Sequence, residues 1–129
     1  MPALTAQFLR FCLVGGIGFL VDAGLTLWLQ QRWHAAVLES RLLAFVIAAT
    51  VTWALNRSYT FASTAGAGSW LRYLFLTAAG ALINIGLYLA WLTVFGAGSA
   101  NVLAGVALGS IVAMGFNFTV SRKFVFAVR

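Results

Sequence analysis

Hydrophobic residues run along this chain in long unbroken stretches, and the few charged residues mark where the stretches end. Phe11 to Gln31 is one apolar run interrupted only by Asp22. A polar patch follows, Gln30-Gln31-Arg32-Trp33-His34 and then Glu39-Ser40-Arg41. Leu42 to Leu55 is the second run, closed by Asn56-Arg57. The segment Ser63-Thr64-Ala65-Gly66-Ala67-Gly68-Ser69 consists of small residues and reads as a flexible linker. From Tyr73 to Ser121 no residue carries a formal charge. That stretch is too long for one membrane crossing of about 20 residues. It fits two, divided at Gly96-Ala97-Gly98-Ser99 and closed by Arg122-Lys123. The pattern predicts four helices, over about 10–30, 39–57, 71–95 and 101–121. Strands are not expected, because membrane-spanning strands alternate apolar and polar positions and these runs are continuous.

Composition narrows the class. Of 129 residues 63% are hydrophobic and 8% charged, against about 25% charged in an ordinary soluble domain. The mean hydropathy is +1.00. A domain this small has much surface for its volume, and eight basic plus two acidic side chains cannot cover it. A soluble domain is excluded, and so is a disordered chain. What remains is an all-α integral membrane protein with four transmembrane helices, one domain over 1–129. The first apolar run is too long for the core of a cleaved leader, so Met1 to Ala6 and the helix after them read as part of the mature protein.

Candidate chemistry is sparse. Cys12 is the single cysteine and His34 the single histidine, and the acids are Asp22 and Glu39 alone. No intrachain disulfide and no cysteine metal site can form, and Cys12 and His34 read as structural or incidental. Hydrolytic and metal-dependent catalysis lacks its residues, so neither an enzyme nor a cofactor is expected. The net charge of +6 favours anionic partners such as lipid phosphates, and no nucleic-acid partner is expected. Four spans place both termini on one side, with Arg10, Arg57, Arg72, Arg122, Lys123 and Arg129, against Arg32 and Arg41 on the other. Basic residues gather on the inner face, which puts both termini in the cytoplasm and the protein in the cytoplasmic (inner) membrane.

The two halves of the chain match. A shift of 62 residues lays Phe8-Leu9-Arg10-Phe11 on Trp70-Leu71-Arg72-Tyr73, and pairs Gly18 with Gly80, Asp22 with Asn84 and Gly24 with Gly86. A shift of 65 lays Asn56-Arg57-Ser58-Tyr59-Thr60-Phe61-Ala62 on Ser121-Arg122-Lys123-Phe124-Val125-Phe126-Ala127. Repeat 1 covers about 8–62 and repeat 2 about 70–127. Each is a two-helix hairpin that starts and ends on the same side, so the repeats are parallel and related by an axis along the membrane normal.

These motifs, with Asn117-Phe118-Thr119-Val120 closing the fourth helix, resemble the GtrA-like family of small four-helix membrane proteins over about 8–127. Family members often carry Asn-Phe in both copies of the last motif; the first copy here reads Thr52-Trp53. The resemblance implies movement of a polyprenyl-phosphate-linked monosaccharide across the cytoplasmic membrane for cell-surface polysaccharide synthesis or modification. It also allows a non-transporting partner of a polyprenyl-phosphate glycosyltransferase.

The residues themselves permit more than one reading. Arg10, Arg57, Arg72, Arg122 and Lys123 lie at inner helix ends, where guanidinium pairs suit a lipid phosphate and where basic residues also serve as plain topology anchors. The neighbouring Phe8, Phe11, Tyr59, Phe61, Trp70, Tyr73, Phe124 and Phe126 would hold interface depth or stack on a sugar. Asp22 lies 12 positions after Arg10, about 18 Å along a helix and past the midplane, where an acid normally faces an interior path. Gly15, Gly18 and Asp22 share one helix face, repeated by Thr77, Gly80 and Asn84. That face would carry sugar hydroxyls or only fix helix packing. Asn117 would extend the headgroup site or bond a neighbouring helix, and Asn56 would cap a helix end or touch ligand. Gly105-Val106-Ala107-Leu108-Gly109 offers a candidate dimer face. Four short helices cannot enclose a wide lumen, so a groove or the interface of a homo-oligomer, a dimer, is expected. A third reading is a small proton-coupled cation or drug exporter with Asp22 binding the cation.

Overall fold

The computed structural model describes residues 3–126 and consists of four long helices: α1 (Leu4–Arg32), α2 (Val37–Leu55), α3 (Gly68–Phe95) and α4 (Ser99–Val120). No strand occurs among the described residues. All four helices are long and apolar enough to cross a membrane. The expected spans fall at the observed ones, with α1 beginning six residues earlier because Leu4 to Leu9 holds no helix breaker. Its 29 residues rise about 43 Å, more than a hydrocarbon core of about 30 Å, so its ends reach the headgroup layers. Ala127 and Arg129, used above for the repeat and the orientation, lie outside the described residues.

The distribution of side chains is inverted relative to a soluble protein. Leu20, Leu82, Val94, Leu103 and Ile111 are at least 70% exposed, while Gln7, Ser40, Asn56, Thr60, Ser69 and Ser121 are buried. Lipid is as apolar as leucine, so burying leucine gives little there. Close helix approach and interhelical hydrogen bonds hold the bundle instead.

Helices pack most closely within two hairpins, α1 on α2 and α3 on α4. Glycines make the notches. A Cβ at Gly18 would strike the Thr52 methyl group, and one at Gly80 would strike the Asn117 amide. Gly109 sits beneath Asn84, whose backbone oxygen is 2.7 Å from where a Cβ would stand, and Gly105 lies 3.1 Å by the same measure from ring atoms of Tyr88 and Trp91. The Gly105/Gly109 pattern, read above as a candidate dimer face, is therefore filled by α3 of its own hairpin.

The two hairpins join at the end where α1 begins and α4 finishes. There α2 and α4 each continue into a five-residue π-turn, Asn56–Thr60 and Ser121–Val125, positions 65 apart. Their closing bonds match as well, Phe61 N–H to Asn56 O and Phe126 N–H to Ser121 O, both 2.9 Å. The turns aim Phe61 and Phe126 inward, where the rings stack with centroids 5.2 Å apart. Phe11, Tyr73 and Phe118 complete this core. Four aromatics expected at the membrane interface, Phe11, Phe61, Tyr73 and Phe126, are thus buried; Tyr59 and Phe124 are exposed. The linker is fastened, not loose. Ser63 donates to Phe126 O at 2.9 Å and Arg57 to Ala65 O at 2.6 Å, and α3 already starts at Gly68 within the segment read as flexible. Ala62 closes the π-turn with φ +45°, a left-handed conformation that lets Ser63 N–H reach Arg57 O at 2.7 Å.

Candidate functional site

Because the hairpins meet mainly at one end, a cavity of about 340 Å³ lies between them. Both glycine faces open onto it: Gly15, Gly18 and Asp22 from α1, and Thr77, Gly80 and Asn84 from α3. From α2 and its π-turn come Thr52 and Asn56, and from α4 come Ser110 and Asn117. Phe19, Phe45 and Met114 supply apolar wall. Asp22, Asn56, Asn84 and Asn117 therefore share one cavity, although they come from four different segments.

The floor of the cavity is a directed relay of hydrogen bonds. Thr60 donates to Asn56 Oδ1 at 2.7 Å, Asn56 Nδ2 donates to the Tyr73 hydroxyl at 3.1 Å, Tyr73 donates to Thr52 Oγ1 at 2.9 Å, and Thr52 donates to Ala49 O at 3.1 Å. This relay ties α2 to α3. It satisfies groups that would be costly to leave bare in a low-dielectric interior. Two cavity atoms stand outside any such relay. Asp22 Oδ1 and Asn117 Oδ1 are buried without a hydrogen-bond partner. Asp22 instead faces the Arg41 guanidinium at 3.7 Å, an ion pair in which Arg41 is the more exposed member.

The basic side chains take a different course. Arg10 donates to Tyr59 O at 3.1 Å with its guanidinium over the Tyr59 ring, and Arg72 donates to Phe124 O at 3.2 Å and Val125 O at 3.4 Å. Each arginine thus covers carbonyls at the C-terminal end of its own hairpin, where helices leave acceptors unsatisfied and their dipole is negative. Arg122 donates to Gln7 Oε1 at 2.9 Å, joining α4 to α1. Arg57 lies toward Trp53, and Lys123 toward the exposed Phe124. None of these five side chains lines the cavity. They surround the end where the hairpins join, held by backbone carbonyls, by rings and, for Arg122, by the Gln7 amide.

Three roles were not foreseen from the sequence: Thr52, quoted only as a departure from the family motif, and Tyr73, read as an interface aromatic, both belong to the relay, and Arg41 stands opposite Asp22. Thr52 was visible as the residue 65 positions before Asn117. The partnership of Arg41 with Asp22 crosses a helical hairpin and left no local signal.

The chain matches the family model described as "GtrA/DPMS, transmembrane domain" over residues 10–126. No curated protein and no solved structure matches it. A match over nearly the whole length, carried by four apolar spans, makes this chain a member of the GtrA/DPMS transmembrane domain family.

Proposed function

We propose that the protein moves a polyprenyl-phosphate-linked monosaccharide across the cytoplasmic membrane, with both termini on the cytoplasmic side. The observation that carries this reading is the polar cavity inside an apolar exterior. Its volume of about 340 Å³ lies at the small end of ligand pockets, which run from about 300 to 1,000 Å³, and suits one sugar ring. The sugar enters between the hairpins along the faces of Asp22 and Asn84, toward Asn56 and Asn117, while the prenyl tail stays in lipid beside the exposed leucines. The phosphate stays at headgroup depth. There Arg10, Arg57, Arg72 and Arg122 use one or two of their five N–H donors on the bonds described above, and Lys123 adds charge. A glycosyltransferase that makes the lipid-linked sugar is the functional partner, and a homodimer would line the groove further.

The cation-exporter reading requires an acid free to bind cations, and here Asp22 is already opposed by Arg41. The test is reconstitution in liposomes with a fluorescent polyprenyl-phosphate sugar, reading the fraction of label reachable from outside. Protein-dependent exposure is expected, lowered about tenfold or more by Arg57→Gln or Arg122→Gln. No exposure from folded protein overturns the reading.

A further inference from the structure

We infer that the cavity selects an uncharged sugar that offers hydroxyl donors, and that it rejects anionic groups, the lipid's own phosphate included. This inference rests on the sugar-lipid reading above and names the substrate class. The argument is one of donors and acceptors. At the cavity floor the hydroxyl protons are already committed: Tyr73 gives its proton to Thr52, and Thr52 gives its own to Ala49 O. Two buried cavity atoms have no hydrogen-bond partner and both are acceptors: Asn117 Oδ1, and Asp22 Oδ1, which has the Arg41 ion pair at 3.7 Å. A ligand that completes them must donate. A neutral hexose brings several hydroxyl donors; a carboxylate or phosphate brings acceptors only.

Charge argues the same way. The acid in the lining is Asp22, whose charge is already matched by Arg41 at 3.7 Å from outside the lining, and no arginine or lysine lines the cavity to offset a second negative charge. An anionic group brought in would stand beside this ion pair without a cation of its own, and an unpaired charge in a low-dielectric space is costly. Gly80 sets the position of the second acceptor, because any Cβ there would displace the Asn117 amide. Phe19 and Phe45 give the carbon face of a sugar ring an apolar wall.

The experiment is equilibrium binding to the full chain in nanodiscs, with three short-chain polyprenyl phosphates as probes: one bearing a neutral hexose, one the matching hexuronic acid, and one with no sugar. The hexosyl lipid is expected to bind at least tenfold tighter than the other two. Asn117→Leu should weaken hexosyl binding about tenfold and leave sugarless binding unchanged. Asp22→Asn should narrow the gap between hexosyl and hexuronosyl lipids, which a merely structural loss would not do. Equal affinity for the hexosyl and hexuronosyl lipids, or for the hexosyl and sugarless lipids, overturns the inference. Selective binding without any flipping in liposomes overturns the translocation reading and leaves this one standing; flipping with no selectivity does the reverse.

Discussion

The two hairpins share a plan and differ in chemistry at matched positions. Both place a glycine on the first helix against a side chain of the second, Gly18 against Thr52 and Gly80 against Asn117. Both end in a π-turn whose carbonyls are covered by an arginine from the first helix. Yet α1 carries the acid Asp22, opposed by Arg41, where α3 carries the neutral Asn84, packed on Gly109. Phe11 in α1 closes the core with a ring alone, while Tyr73 in α3 adds the hydroxyl that links Asn56 to Thr52. The backbone plan holds the hairpins together at one end. The divergent side chains line the cavity, so its two walls present different groups to whatever enters.

The sharpest way to break this contrast is to make α3 copy α1. Asn84→Asp places a carboxylate where the position matching Arg41 is Val106. An acid without a partner in the membrane costs roughly 2.5–3.5 kcal/mol. The variant should lower the unfolding midpoint of detergent-solubilised protein accordingly, and adding Val106→Arg should restore most of it. A midpoint unmoved by Asn84→Asp would mean that the two walls are interchangeable there. The converse, Asp22→Asn, should shift stability by less than about 1 kcal/mol, because Arg41 is well exposed.

Next comes the seam. Gly109→Ala would press a methyl group against the Asn84 backbone oxygen, which cannot retreat, and should destabilise by about 1–3 kcal/mol. The matched position in the other hairpin, Ala44, is buried and already holds that methyl. Ala44→Gly should lose only about 1 kcal/mol through helix propensity. Equal losses in the two variants, read by thermal unfolding, would erase the distinction between the seams.

The chemically lightest substitution is Tyr73→Phe, which removes one oxygen and gives α3 the residue of α1. It leaves the Asn56 amide short of an acceptor and should reduce stability by about 1–2 kcal/mol. Hydrogen exchange at Thr52 and Asn56 should rise with it. An unchanged exchange pattern would show that the hydroxyl is not what ties α2 to α3.

Much of this was legible in the residue pattern. The spans follow from the length of uncharged runs, and the faces Gly15/Gly18/Asp22 and Thr77/Gly80/Asn84 follow from helical spacing. The structure places all six residues around one cavity. The rest depends on groups that leave no mark in a sequence. Arg10 and Arg72 bind backbone carbonyls, which every residue has. The π-turns arise where tertiary packing of Phe61 and Phe126 draws one more residue into the turn than an α-helix allows. Phe11 and Tyr73 look like interface anchors beside arginines, and only the closing of the two hairpins on each other buries them.

The Phe61–Phe126 stack sets one residue against the residue that holds its place in the other hairpin. Contacts of that kind are self-complementary, as at the centre of an isologous dimer: a change in size or tilt on one side must be answered by the same change on its twin. Such a requirement freezes the hinge point and nothing beyond it. Farther along the helices the matched residues line a cavity between the hairpins, and each half can acquire its own character without disturbing the joint.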